Sequence, residues 1–135
     1  MIEKIDHLGI AVRNLDESLK LYGEILGLEL VGKEEVASQK VRVAMLRIGE
    51  TKIELLESTN DDGPIAKFIE SKGEGIHHLA LRVDDIKATL ASLRERGTVL
   101  INEEAVPGAH GTLVAFVHPK ATGKVLLELC QHPKG

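Results

Sequence analysis

The chain has no tryptophan, one tyrosine and two phenylalanines, so aromatic residues make up only 2% of its 135 residues. That scarcity argues against a surface on which unpaired bases stack, because such platforms are built from aromatic faces. There is a single cysteine, Cys130, so no internal disulfide can form and no second thiolate is available for a cysteine-type zinc site. A reducing compartment is the expectation. Basic residues are not in excess: 17 Lys and Arg stand against 21 Asp and Glu, for a net charge of −4. A nucleic-acid or anionic-membrane partner would need a concentrated basic surface, and none is visible. No run approaches the roughly 20 apolar residues of a membrane span. The opening MIEKIDHLGIAV places Glu3, Lys4 and Asp6 where a secretory signal would be apolar, so a cytoplasmic protein is expected. With 43% hydrophobic residues the chain has enough apolar material for one domain spanning 1–135.

What the sequence does contain is a repeat. IDHLGIAVRNLDESLKLY and IHHLALRVDDIKATLASL run in step, so that His7 aligns with His78 at an offset of 71 (78 − 7). An internal duplication recasts one chain as two similar units that must pack together. The pattern predicts KIDHLGIAV and IHHLALRV as strands. Each leads through Asn14 or Asp84, as N-caps, into amphipathic helices near Leu15–Tyr22 and Ile86–Arg96. ELVGKEEV, KVRVAMLRI and TKIELLE read as three further strands of the first half, and TVLINEE, TLVAFVH and KVLLELC as three of the second. PIAKFIESKG is a helix joining the halves, started by Pro64 and stopped by Gly73. The predicted fold is α+β, two tandem βαβββ modules of about 1–62 and 74–135 with a linker helix at 63–73.

Alternation along the strands then separates the histidines. Leu8, Ile10 and Val12 share one face of the first strand while His7, Gly9 and Ala11 share the other. In the partner strand His78, Ala80 and Arg82 face away from Leu79, Leu81 and Val83. His77 falls on the Leu79 side, where a capping or half-exposed histidine is the plain reading. The last strand of each half carries a glutamate within an apolar run, Glu54 and Glu128, offset by 74 (128 − 54). Either alone reads as a solvent-facing residue, because a carboxylate buried without compensation costs several kcal/mol. Recurring together with His7 and His78, they form a set of two imidazoles and two carboxylates, and a divalent metal would neutralise the buried charge. Such mixed ligands suit Co, Mn, Ni, Fe or Zn.

DHLGIAV, GIHHLALRV and VLLEL resemble the vicinal oxygen chelate superfamily, which includes glyoxalase I, extradiol dioxygenases and fosfomycin-resistance proteins. GAHG at Gly108–Gly111, HPK at His118–Lys120 and the ELCQHPK tail look like the methylmalonyl-CoA epimerase family within it. The resemblance implies a cupped mixed sheet around a central metal held by His7, Glu54, His78 and Glu128. It also implies interconversion of (2R)- and (2S)-methylmalonyl-CoA by proton removal at C2 and reprotonation on the opposite face. Co2+ is the first expectation for the ion, with Mn2+, Ni2+, Zn2+ and Fe2+ as alternatives, and an acyl-CoA substrate and a homodimer follow. Some epimerases carry Gln at the position of Glu54 and a catalytic Glu on the preceding strand, where this chain reads VRVAM with Arg42. Glu54 and Glu128, from different halves, are the acid/base candidates: either Glu54 takes over the role of that missing glutamate, as ligand glutamates do in glyoxalase I, or a water or another group serves.

Two weaker substrate-binding candidates are His110, in the PGAHGT loop, and Lys120, in HPKATGK. Either could meet the substrate carboxylate or CoA phosphates, loops being where function concentrates. Cys130 reads as a small buried hydrophobe. Two rival functions stay open: glyoxalase I (lactoylglutathione lyase), with the same ligand types, and a metal-free small-molecule binding module of the same fold. An extradiol dioxygenase would leave Glu54 unexplained.

Overall fold

The computed structural model describes residues 1–134. Contacts divide the chain into two compact units, His7–His77 and a discontinuous one made of Met1–Asp6 with the chain from His78 onward. Two strands are cut by this division, β1 (Ile2–Ala11) and β5 (Gly75–Val83).

In the His7–His77 unit the strands are the later residues of β1, β2 (Glu29–Val36), β3 (Val41–Ile48) and β4 (Thr51–Ser58), ordered β2-β3-β4-β1. β2/β3 and β3/β4 are antiparallel, whereas β1 and β4 are parallel, which their connection through a helix and two strands allows. Helix α1 (Leu15–Leu19) starts where expected, with the Asn14 side chain accepting from the Glu17 N–H at 3.0 Å. It runs on further than the sequence pattern suggests. Lys20–Ile25 continues as a π-helical segment, closed where the Leu26 N–H donates to the Leu21 carbonyl, before Gly27 turns out at φ 78°. Val12, Leu15, Ala44, Leu46 and Leu55 form the core between α1 and the strands, with Ile10 and Ile53 packed against it. α2 (Pro64–Lys72) has the predicted Pro64 start and Gly73 stop.

The second unit repeats the plan with shorter strands. β5 (from His78) is followed by α3 (Ile86–Glu95), β6 (Val106–Pro107), β7 (Leu113–Val117), a one-turn helix α4 (Pro119–Thr122) and β8 (Leu127–Gln131), in the order β5-β8-β7-β6. The first residues of β1 run beside β5, the Asp84 N–H donating to the Met1 carbonyl. Its core is Val83, Ile86, Leu90, Ala115, Val117 and Leu129.

Three local expectations are corrected. The cap of α3 is Asp85, which accepts from the Ala88 N–H at 3.1 Å; Asp84 instead accepts from the Met1 ammonium at 2.7 Å. TVLINEE is not a regular strand. Apart from a single bridge from Leu100 to Val117, its pairing collapses at Asn102, whose side chain takes the Phe116 N–H while the N–H groups of Ile101 and Asn102 share the Phe116 carbonyl. KVLLELC begins its strand only at Leu127, because Gly123 and Lys124 both adopt positive φ (72° and 73°) and turn the chain.

One device occurs in both units. The N–H of the first residue of α1, Leu15, donates to Glu57 on the last strand of its unit at 3.0 Å; that of Ile86 in α3 donates to Gln131 on β8 at 2.8 Å. A side chain from the final strand thus satisfies an orphan donor at the helix start and fixes helix to sheet.

Candidate active site

In the His7–His77 unit, Ile10 and Val12 of β1 point into the α1 core, so alternation sends His7, Gly9 and Ala11 to the other face. Parallel pairing sets Gly9 opposite Glu54, and antiparallel pairing sets Met45 on its other side. Because Gly9 has no side chain, Glu54 can lean across toward His7, and His7 Nε2 lies 3.4 Å from Glu54 Oε1. Both are buried, at 2% and 6% exposure.

The second unit builds the same pair with different neighbours. Leu81 and Val83 face α3, which turns His78 and Ala80 the other way. Ala80 pairs with Glu128 on β8, and Phe116 on β7 pairs with its far side. His78 Nε2 lies 3.3 Å from Glu128 Oε1, again with both buried, at 4% and 6%. The Phe116 ring stands edge-on to the His78 imidazole at 5.8 Å.

These separations have a chemical meaning. They are longer than the usual 2.7–2.9 Å of a charge-assisted hydrogen bond. They match the spacing of two donor atoms that share one ion, since metal–ligand bonds of about 2.1 Å at right-angled to tetrahedral geometry put neighbouring ligands roughly 3.0–3.4 Å apart. Each unit thus carries a buried imidazole nitrogen and carboxylate oxygen fit to hold a divalent cation.

The other candidates stand apart from these pairs. His77 is half-buried and sits edge-on to Phe68 at 4.9 Å, a packing role. His110 lies exposed in a one-turn 3-10 segment, in the left-handed region at φ 56°. Lys120 is exposed in α4, its N–H donating to the His118 imidazole, which caps that helix. Cys130 is buried, as expected of a small hydrophobe. Arg42 does not belong with the His–Glu face at all. It reaches Glu57 at 2.5 Å, on the side of the sheet where Glu57 also holds α1. The residues of β3 that share the face of Glu54 are Val41, Val43 and Met45, apolar and buried. Sequence reasoning also missed a half-buried contact, Asp6 Oδ1 to His132 Nε2 at 2.6 Å. Its only signal was an aspartate preceding the strand histidine and a histidine in the tail.

Among the described residues no helix is long and apolar enough to cross a membrane. A family model described as the Glyoxalase/Bleomycin resistance protein/Dioxygenase superfamily matches residues 6–116. The Ethylmalonyl-CoA/methylmalonyl-CoA epimerase of Cereibacter sphaeroides is 38% identical over 133 residues, covering 97% of this chain and 99% of the relative. The mitochondrial Methylmalonyl-CoA epimerase of Homo sapiens is 37% identical over 129 residues, 95% of this chain and 73% of the relative. A solved methylmalonyl-CoA epimerase in complex with methylmalonyl-CoA and NH4+ is 35% identical with a TM-score of 0.93, over 98% of this chain and 96% of that one. A Probable lactoylglutathione lyase of Synechocystis is more distant, 34% identical over 113 residues, 82% of this chain and 83% of the relative. The mixed α+β architecture of the chain is the glyoxalase-like fold of the epimerase structures. With most of its length matched by the family model, the chain belongs to the Glyoxalase/Bleomycin resistance protein/Dioxygenase superfamily.

Proposed function

We propose that the chain is a metal-dependent epimerase interconverting (2R)- and (2S)-methylmalonyl-CoA, acting as a single domain over residues 1–135, cytoplasmic and homodimeric. The observation that carries this reading is the duplicated His–Glu pair, buried and spaced at 3.4 and 3.3 Å, in a chain similar to methylmalonyl-CoA epimerases over nearly its whole length.

In this reading His7, Glu54, His78 and Glu128 hold one divalent ion, with Co2+ the first choice and Mn2+, Ni2+, Zn2+ and Fe2+ as alternatives. When bound, that ion supplies positive charge beside the thioester and carboxylate oxygens of the substrate. Glu54 and Glu128 work on opposite sides of C2. One carboxylate accepts the C2 proton, the C–H electron pair delocalises into the thioester carbonyl, and the other carboxyl group delivers a proton to the opposite face. Burial of both glutamates keeps bulk water from reprotonating C2 at random. His7 and His78 are held in place by strand pairing and, for His78, by the Phe116 edge. His110 and Lys120, both at the surface, are the candidates for the substrate carboxylate and CoA phosphates.

A glyoxalase I activity is the second reading, supported by the lactoylglutathione lyase relatives and by the same ligand types. One experiment separates the two. Each methylmalonyl-CoA stereoisomer is incubated in deuterated water with and without chelator, and stereochemistry and deuterium uptake are followed. Chelator-sensitive epimerisation, with propionyl-CoA inert because it lacks the second carbonyl-bearing group, is the expected result. Inert methylmalonyl-CoA with rapid isomerisation of a glutathione hemithioacetal would transfer the protein to the glyoxalase reading.

A further inference from the structure

The half-buried contact between Asp6 and His132 belongs to a larger cluster. Asp6, Cys130 and His132 each offer a donor atom, and these atoms lie within 4.8 Å of one another. The three share no residue with the His–Glu pairs and come from one unit: Asp6 from β1, Cys130 from β8 and His132 just beyond its end. Cys130 and His132 are two apart, the spacing that brings side chains to the same side of an extended chain. Asp6 is 1% exposed and Cys130 2%, while the His132 side chain keeps 22% of its surface open.

We propose that Asp6, Cys130 and His132 form a second metal site, selective for a borderline-soft divalent cation of the zinc class. One carboxylate oxygen, one imidazole nitrogen and one thiolate are the mixed donors that zinc and cobalt accept and that magnesium or calcium do not, because a thiolate is a soft ligand. Three protein ligands with an opening beside His132 leave a fourth, solvent-facing position, the pattern of a site that keeps one place for water. Asp6 Oδ1 and His132 Nε2 lie 2.6 Å apart. A tetrahedral ion would set these two atoms about 3.3 Å apart, and Cys130 would bind it as the thiolate. The site ties the tail after β8 to β1 next to His7, so its occupant would brace the strand that carries that histidine.

The test uses the full chain, stripped of metal and titrated with Co2+, because a thiolate bound to cobalt gives a near-ultraviolet charge-transfer absorption that imidazole and carboxylate ligands do not. The expected result is such a band, removed by added Zn2+, retained in His7→Ala and His78→Ala, and absent from Cys130→Ser. His132→Ala and Asp6→Asn should weaken the cobalt affinity read from that band by at least about 10–100-fold. Alkylation of Cys130 should slow when Zn2+ is bound. A wild-type protein with no thiolate band at saturating Co2+ overturns the proposal, and so does a band whose affinity is unchanged in both His132→Ala and Asp6→Asn. The wild-type spectrum decides the matter even where a variant fails to fold.

Discussion

His7 and Glu54 sit beside Gly9 and Met45 on strands of eight to ten residues; His78 and Glu128 sit beside Ala80 and Phe116, where β7 and β8 are five residues each. Strand length, neighbouring side chains and the regularity of the third strand all differ between the units. The donor spacing differs by only 0.1 Å, 3.4 against 3.3. What the duplication has kept is the distance between one nitrogen and one oxygen, along with a small residue beside each glutamate that leaves room for it. What it has let diverge is the wall around each pair: a glycine and a flexible thioether in one unit, a methyl group and an aromatic edge in the other.

The comparison breaks most easily at the histidines. His7→Ala and His78→Ala should each lose bound metal and reduce epimerisation by at least about 10²-fold, while His77→Ala keeps both. A loss from His77→Ala equal to that from His78→Ala, measured by metal content and turnover, would mean the register of β5 is wrong by one residue.

The glutamates sharpen it. Glu54→Gln and Glu128→Gln, with metal content checked, should each slow epimerisation by about 10²–10⁴-fold. Residual deuterium exchange should be confined to one stereoisomer, and to the opposite one in the two variants. Turnover within a few-fold of the parent in both would leave the glutamates as ligands only.

Stability tests the equality of the two cores. Leu55→Ala and Leu90→Ala remove side chains that are 0% and 2% exposed, and each should lower unfolding free energy by about 2–5 kcal/mol. A much smaller loss for Leu90 would indicate that the short-stranded unit repacks more readily. The helix ties are next: Glu57→Ala and Gln131→Ala each leave a helix-start N–H without its side-chain acceptor, and each should cost about 1 kcal/mol by denaturant titration.

Least of all is a pH effect at the start of the second unit. The Met1 ammonium, bonded to the Asp84 carboxylate, holds that group below the usual carboxylate value. A lowered folded-state value means that the contribution is complete above the unfolded value near 3.8 and fades as pH falls through the lowered one. Asp84→Asn should therefore give a slightly lower Tm than the parent at neutral pH and low salt, converging with it in strong acid.

Much of this was legible because the repeat made each half a control on the other. Period-two alternation assigned His7 and His78 to the non-core face, and it takes an apolar partner at every second position to do so. Glu54 and Glu128, ambiguous singly, were resolved by recurring together. What was not legible depended on side chains competing for backbone donors. Asn102 captures the Phe116 N–H and spoils a strand whose composition looks regular. Asp84 is drawn away from the helix by a chain terminus that no local pattern connects to it. Arg42 reads from the sequence as a substitution at a catalytic position, although an even-numbered residue on β3 faces α1, where Glu57 pairs with it. The Asp6–His132 contact spans 126 positions and has no local signature.

The division of the chain at Asp6 and again at His77 has a consequence for how the molecule is made. His7–His77 is one uninterrupted stretch, and the β1/β4, β2/β3 and β3/β4 pairs lie within it. On a ribosome it can assemble as soon as it emerges, well before synthesis ends. The other unit cannot, because its first six residues come out earliest and must wait for β5, with Met1 meeting Asp84 across 83 positions. Closing so long a loop is cheap if the intervening chain is already compact and slow if it is not. If the His7–His77 stretch compacts first, it shortens the loop that the N-terminal segment has to close, and a mutation that loosens its core is then expected to slow the pairing of residues it never touches.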